Sequence, residues 1–251
     1  MEKQLYDLFL NSSGICTDTR SIEQGSLFIC IKGENFDGNE FSEKALNEGA
    51  SHVIVDNPEF FHSDHPMTLV QDSVLFLQEL ANHHRKQFSI PVIGITGSNG
   101  KTTSKELINA VLSKKYNVLA TKGNLNNHLG VPFTLLRLKK EHEIAIIEMG
   151  ANKFKDIEEL CNIAEPNYGI ITNIGKAHLE GFINFEGVLR TKSELYDHVA
   201  QNKGVLFINA DDPVLTNAAQ NRGCQLLNYG EQNGDLQGKL NYLDPFVHFS
   251  C

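Results

Sequence analysis

The sequence predicts an α/β protein: a small α/β domain over residues 1–88, then a mostly parallel sheet organised around a phosphate loop over residues 89–251. Three observations carry that prediction. The apolar, β-branched run 92–95 meets a small-residue turn, Gly97-Ser98-Asn99-Gly100, which leads through Lys101-Thr102-Thr103 into a helix-like stretch at 104–115. Short apolar runs at 116–120, 144–149, 168–174 and 205–209 alternate with helical segments, and strands so continuously apolar are usually covered on both faces, as in a parallel sheet. A helical pattern at 73–88 is stopped by Pro91, which puts a domain boundary near residue 89.

Taken in order, the first domain opens its legible part with a strand at 26–31, followed by turn signals from Lys32-Gly33 to Asp37-Gly38. Phe41, Ala45 and Leu46 then mark a short amphipathic helix closed by Gly49, leading into a strand at 52–55. The polar loops Thr17-Asp18-Thr19-Arg20 and 32–41 read either as ligand-binding segments or as ordinary turn chemistry. In the second domain, Leu107, Ile108, Val111 and Leu112 recur at helical spacing after the phosphate loop.

That loop is the strongest chemical signal. Glycines let the backbone curl so that N–H groups point at an anion, and the helix that follows adds its positive end. Lys101 would reach the β- and γ-phosphates of a nucleotide, and the Thr102 hydroxyl would sit on Mg²⁺. Only Gly-x-x-Gly-Lys-Thr is matched, since Ile95 stands where the strict pattern has its first glycine. Ligands of open parallel sheets gather at the carboxyl ends of strands. There the sequence offers Glu148 as a metal-holding carboxylate, Asn173 and His178 after the next run, and Asn209-Ala210-Asp211-Asp212-Pro213, which reads as base recognition or as a helix cap. Asn124, Asn126 and Asn127 supply uncharged donors and acceptors suited to a polar substrate. Lys192 by itself reads as a solvated helix lysine.

Composition narrows the class. Lys plus Arg number 22 against 31 Asp plus Glu, a formal net charge of −9, so no general positive field exists to attract nucleic acid or an acidic membrane. A phosphorylated ligand would need local devices instead. The 5 cysteines form no C-x-x-C pair and read as reduced, mostly buried residues. No run approaches the ~18 apolar residues of a membrane span and no signal segment opens the chain, so a cytoplasmic compartment is expected.

Taken together, these segments resemble the Mur ligases, ATP-dependent amide-bond-forming enzymes of peptidoglycan synthesis. The matching stretches are Thr96-Gly97-Ser98-Asn99-Gly100-Lys101-Thr102-Thr103, whose family variant explains the missing glycine, Asp18-Thr19-Arg20, Lys32-Gly33-Glu34-Asn35-Phe36-Asp37-Gly38, Glu148-Met149-Gly150-Ala151-Asn152, Asn173-Ile174-Gly175-Lys176-Ala177-His178 and Asn209-Ala210-Asp211-Asp212. Gly123-Asn124-Leu125-Asn126-Asn127 and Thr103-Ser104-Lys105-Glu106 resemble, within the family, the member that adds D-alanyl-D-alanine to UDP-N-acetylmuramoyl-tripeptide.

The resemblance implies a UDP-substrate-binding first domain using Asp18, Arg20, Gly33 and the 32–41 loop, with Asn39 departing from the family's usual histidine. It implies that Gly97, Ser98, Asn99, Gly100, Lys101, Thr102 and Thr103 hold ATP with Asn209 at the adenine. Two Mg²⁺ ions would be served by Thr102, Glu148, His178 and Lys192, and Lys192 matches a lysine that many members carbamylate with CO₂. Lys101, His178 and Lys192 would act in catalysis, and Asn124, Asn126 and Asn127 would hold the substrate carboxylate. A monomer is expected. The family's third, C-terminal domain has no counterpart here, and 245–251 resembles a strand cut off within the central domain, so a fragment poor at complete ligation is expected. The alternatives are an earlier-step ligase of the family, or a non-catalytic module binding a nucleotide or UDP-sugar; the related folate-polyglutamate ligases are disfavoured by the 18–41 segment.

Overall fold

The computed structural model describes residues 1–175, 184–242 and 248–250, which divide into two compact units, Met1–Gln87 and Phe88–Cys251. The first unit is built on a four-stranded parallel sheet in the order β1-β2-β3-β4, formed by Ile15–Cys16, Leu27–Ile29, His52–Val55 and Met67–Leu69. Its helices are α1 (Lys3–Leu10), α2 (Ser42–Asn47) and α3 (Ser73–Arg85). Phe28, Val53 and Val55 meet Ala45 in its core. The predicted strand at 26–31 is shorter than the apolar run, and α1, β1 and β4 were not foreseen, the two strands being only two and three residues long.

The second unit is a seven-stranded, wholly parallel sheet. Its strands are β5 (Val92–Thr96), β6 (Val118–Ala120), β7 (Ile144–Glu148), β8 (Tyr168–Ile171), β9 (Val205–Asn209), β10 (Gln225–Gly230) and β11 (Leu236–Gln237), in the order β11-β10-β9-β8-β5-β7-β6. Every residue of β7 is buried, as its unbroken apolar run requires. Helices α4 (Lys101–Leu112), α5 (Gly130–Leu135), α6 (Asp156–Ala164), α7 (Phe185–Gln201) and α8 (Pro213–Ala219) accompany it. A separate antiparallel pair, β12 (Lys239–Tyr242) with β13 (His248–Ser250), lies beyond.

Two expectations about α4 are corrected. The helix begins at Lys101, not at 104, because Gly100 takes the left-handed conformation, φ +76°, at its N-cap and Lys101 and Thr102 form the first turn. The inward stripe is Lys101, Lys105, Ile108 and Leu112, whereas Leu107 and Val111 are 64% and 70% exposed. Four apolar residues at helical spacing had concealed which pair faces the sheet.

β5 pairs with β7 on one side and β8 on the other, both later in the chain, so the loop that follows it opens at the switch point of the sheet. That topology sets the phosphate loop beside the ends of the strands that carry Glu148 and Asn173.

Candidate active site

The loop after β5 is strapped to the segment after β8. Gly97 has φ +147°, and a Cβ there would collide with the Thr172 hydroxyl, so only glycine fits. The Ser98 N–H donates to the Asn173 carbonyl (3.0 Å), and the Asn99 N–H donates to Asn173 Oδ1 (3.1 Å). In return Asn173 Nδ2 and the Thr172 hydroxyl donate to the Asn99 carbonyl, at 2.9 and 2.6 Å. The N–H groups of Ser98 and Asn99 are thus committed to Asn173. The amides that can meet phosphate oxygens are those of the first turn of α4, at Lys101, Thr102 and Thr103, which have no helical acceptor.

Lys101 folds back on its own loop, Nζ donating to the Gly97 carbonyl at 2.8 Å, and burial lowers its pKa while the Glu148 carboxylate opposes that shift. Glu148, at the end of β7, is 1% exposed. Its Oε1 accepts from the Thr102 hydroxyl (3.1 Å) and from Asn126 Nδ2 (2.8 Å), and its Oε2 is buried with no hydrogen-bond partner. Asn126 is itself held, since the Gly150 N–H donates to its carbonyl at 2.7 Å and a Cβ on Gly150 would come within 2.8 Å of Asn126 Oδ1.

The asparagine turn therefore divides its labour. Asn126 orients Glu148; Asn127 Oδ1 accepts the Gly130 N–H (2.8 Å) and caps α5; and the Asn124 carbonyl accepts the Asn126 N–H (2.7 Å). A cavity of about 550 Å³ opens beside it, lined by Asn126, Asn127, Gly150, Asn152 and Asp156.

Lys192 is not the solvated lysine its local sequence suggests. It is 3% exposed, on the stripe of α7 that also buries Val188, Leu195, Tyr196 and Val199. Desolvation, reinforced by the Lys101 charge and opposed by Asp156 and Glu194, brings its pKa down to about 8. The neighbouring Glu194, which sequence reasoning missed, accepts the N–H groups of Lys155 and Glu158, both at 2.9 Å, and ties the start of α6 to α7.

His178 lies outside the described residues. Asn209 Oδ1 accepts the Asp211 N–H at 3.1 Å, and Asp212 caps α8 through Val214, which is the helix-cap reading of that segment. In the first unit, Arg20 makes a forked contact with Asp18 (Nη2 to Oδ2 2.6 Å) that holds the Asp18 pKa at about 2, and Gly33 donates to the Phe36 carbonyl at 2.9 Å. Asn39 is fully buried, with Nδ2 donating to Asp37 and Asp56, each at 2.7 Å; it anchors the 32–41 loop to the end of β3.

Among the described residues no group of three or more His, Cys, Asp or Glu side chains converges. Mg²⁺ does not require one, since it takes one or two carboxylates and completes its shell with phosphates and water. The Glu148 carboxylate, with Oε1 on the Thr102 hydroxyl and Oε2 buried without a hydrogen-bond partner, fits such an ion. No helix among the described residues is long and apolar enough to cross a membrane.

A parallel sheet with a phosphate loop at its switch point, and a buried carboxylate next to that loop, defines a P-loop nucleotide-binding protein of the α/β class. The Mur ligase middle domain matches residues 95–246, and a second match, described as Mur ligase family, catalytic domain, covers residues 11–85. This chain belongs to the Mur ligase family. It is 42% identical over 221 residues to the UDP-N-acetylmuramoyl-tripeptide--D-alanyl-D-alanine ligase of Bacillus subtilis, covering 86% of this chain and 47% of that protein. The Escherichia coli ligase of the same name is 40% identical over 211 residues, with 84% and 46% covered. Among solved structures, MurF from Acinetobacter baumannii superposes with a TM-score of 0.84 at 33% identity, over 98% of this chain and 59% of that one. The Thermotoga maritima MurF ligase in complex with ADP gives 0.84 at 32% identity, over 99% and 57%. The chain spans about half the length of the curated relatives it matches.

Proposed function

We propose that this chain provides the UDP-substrate-holding and ATP-holding parts of a ligase that joins D-alanyl-D-alanine to UDP-N-acetylmuramoyl-tripeptide through an acyl phosphate. The observation that carries the reading is Glu148, buried, fixed by Thr102 and Asn126, and left with one unpartnered oxygen beside the phosphate loop. The curated relatives bear the name of this reaction, and one solved relative holds ADP.

The chemistry follows from the substrate. A carboxylate resists amine attack because it is anionic and its oxygen leaves badly. The γ-phosphoryl group of ATP therefore passes to a carboxylate oxygen of the tripeptide, as the bond to the β-phosphate oxygen breaks and ADP leaves. The amine of D-alanyl-D-alanine attacks the acyl phosphate, the tetrahedral intermediate collapses, and inorganic phosphate departs with an amide left behind.

In this reading the first-turn amides of α4 and the Lys101 ammonium, released from the Gly97 carbonyl, bind the β- and γ-phosphates. Thr102 and Glu148 would hold one Mg²⁺, and His178 with a carbamate on Lys192 would hold a second. Bound Mg²⁺ offsets the charge on the phosphoryl oxygens and keeps the transferring group in line. Lys192 suits carbamylation because only a neutral amine attacks CO₂, and its pKa of about 8 leaves a substantial neutral fraction near neutrality. Asn124 and Asn127 remain the asparagines that address the substrate carboxylate, and Asp18, Arg20 and Gly33 the uridine-bearing end.

Isothermal titration separates this reading from a generic nucleotide or UDP-sugar binder. UDP-N-acetylmuramoyl-tripeptide should bind at least about tenfold more tightly than UDP, a difference of about 1.4 kcal/mol. Equal affinities would overturn the substrate assignment.

A further inference from the structure

Lys105 lies one turn beyond Lys101 on the inward stripe of α4, and its side chain is 0% exposed. A buried ammonium is costly unless it is paired and hydrogen-bonded. Here Nζ donates to the Thr121 carbonyl at 2.7 Å and meets Glu106 Oε1 at 2.8 Å. Thr121, 2% exposed, directly follows β6, the edge strand of the sheet. Its N–H donates to the Ile146 carbonyl (3.0 Å), and its hydroxyl accepts the Glu148 N–H (3.0 Å). From Thr121 the chain enters the asparagine turn, which returns Asn126 Nδ2 to Glu148 Oε1 at 2.8 Å. Glu148 is thus gripped twice by one segment, at its main chain by Thr121 and at its carboxylate by Asn126. Lys105 clamps the root of that segment.

We propose that Lys105 is a positioning residue for the metal-facing carboxylate: by fixing the Thr121 carbonyl it sets where Glu148 stands relative to the phosphate loop. An apolar side chain of similar length would fill the same space and still leave the Thr121 carbonyl without its donor. The inference rests on the ligase reading of the site for its metal arm, and on geometry alone for its structural arm.

The test titrates ADP into the whole chain, with Mg²⁺ and with EDTA, for wild type, K105M, K105R and T121V, and follows amide hydrogen exchange at Glu148 without metal. K105M and T121V should lose about tenfold of the Mg²⁺-linked gain in ADP affinity, the usual scale for groups that orient a metal ligand, with metal-free ADP affinity unchanged. Both should exchange the Glu148 amide faster than wild type, and K105R, which keeps charge and donors, should recover part of each effect. Equal losses with and without Mg²⁺, or an unchanged Glu148 amide in K105M, would overturn the proposal. If K105M does not fold, K105Q, too short to reach the Thr121 carbonyl as the ammonium does, carries the same readouts. A wild type with no Mg²⁺-linked gain would count against the ligase reading, and the exchange measurement would still decide the role of Lys105.

Discussion

Lys192 illustrates how a residue acquires chemistry from its surroundings. Taken out of water and set near Lys101, its ammonium is disfavoured, and its pKa falls from 10.5 to about 8. Since the native value lies below the unfolded one, the unfolded chain binds more protons between the two. The burden this group places on stability is therefore full below pH about 8 and is relieved as pH rises from there towards 10.5. The same titration should govern its reactivity. Carbon-13 NMR with labelled bicarbonate should give a carbamate signal that grows through pH about 8 and vanishes in K192Q. A signal that appears only in the pH range of ordinary lysines, or survives in K192Q, would contradict the assignment. Lys101, Thr102 and Glu148 were legible in the sequence because a phosphate-loop motif and a strand-end acid declare themselves. Asn126 was legible as a functional residue but not in its task, because a hydrogen bond between residues 126 and 148 exists only once the sheet has formed.

At the scale of elements, the turn between β5 and α4 depends on two glycines for different reasons. Gly100 needs only a left-handed backbone, φ +76°, with open space around its missing Cβ. Gly97 combines φ +147° with close approach of Thr172. G100A should therefore cost about 1 kcal/mol, the ordinary penalty of a left-handed alanine. G97A should cost about 3 kcal/mol and also disturb the Asn173 strap. Urea unfolding of the two variants orders them, and a G97A protein as stable as G100A would refute the close-packing account. Helical spacing predicted α4, while α7 was sensed only through Lys192, and each helix carries a lysine on its inward stripe, Lys105 between Lys101 and Ile108, and Lys192 between Val188 and Leu195. The pattern was readable by position. Residue type masked it, because a lysine in sequence looks solvated until packing partners are known.

At the scale of the whole molecule, continuous apolar runs separated by helices were enough to indicate the parallel sheet of the second unit. Strand order was not readable, because it depends on which crossovers pass to which side, and it is the order β8-β5-β7 that brings Asn173, the phosphate loop and Glu148 together. On the proposed reading, a chain of net charge −9 would hold a polyphosphate because that order concentrates helix-end amides, Lys101 and the Glu148 carboxylate at one place. The most direct test is a crystal structure with a non-hydrolysable ATP analogue and Mg²⁺. The account predicts phosphate oxygens on the amides of Lys101 to Thr103, Lys101 Nζ moved from the Gly97 carbonyl to the phosphates, and Mg²⁺ reached by Thr102 and by Glu148 Oε2. Phosphates bound elsewhere, with Lys101 still on Gly97 and Glu148 Oε2 still without a partner, would contradict it.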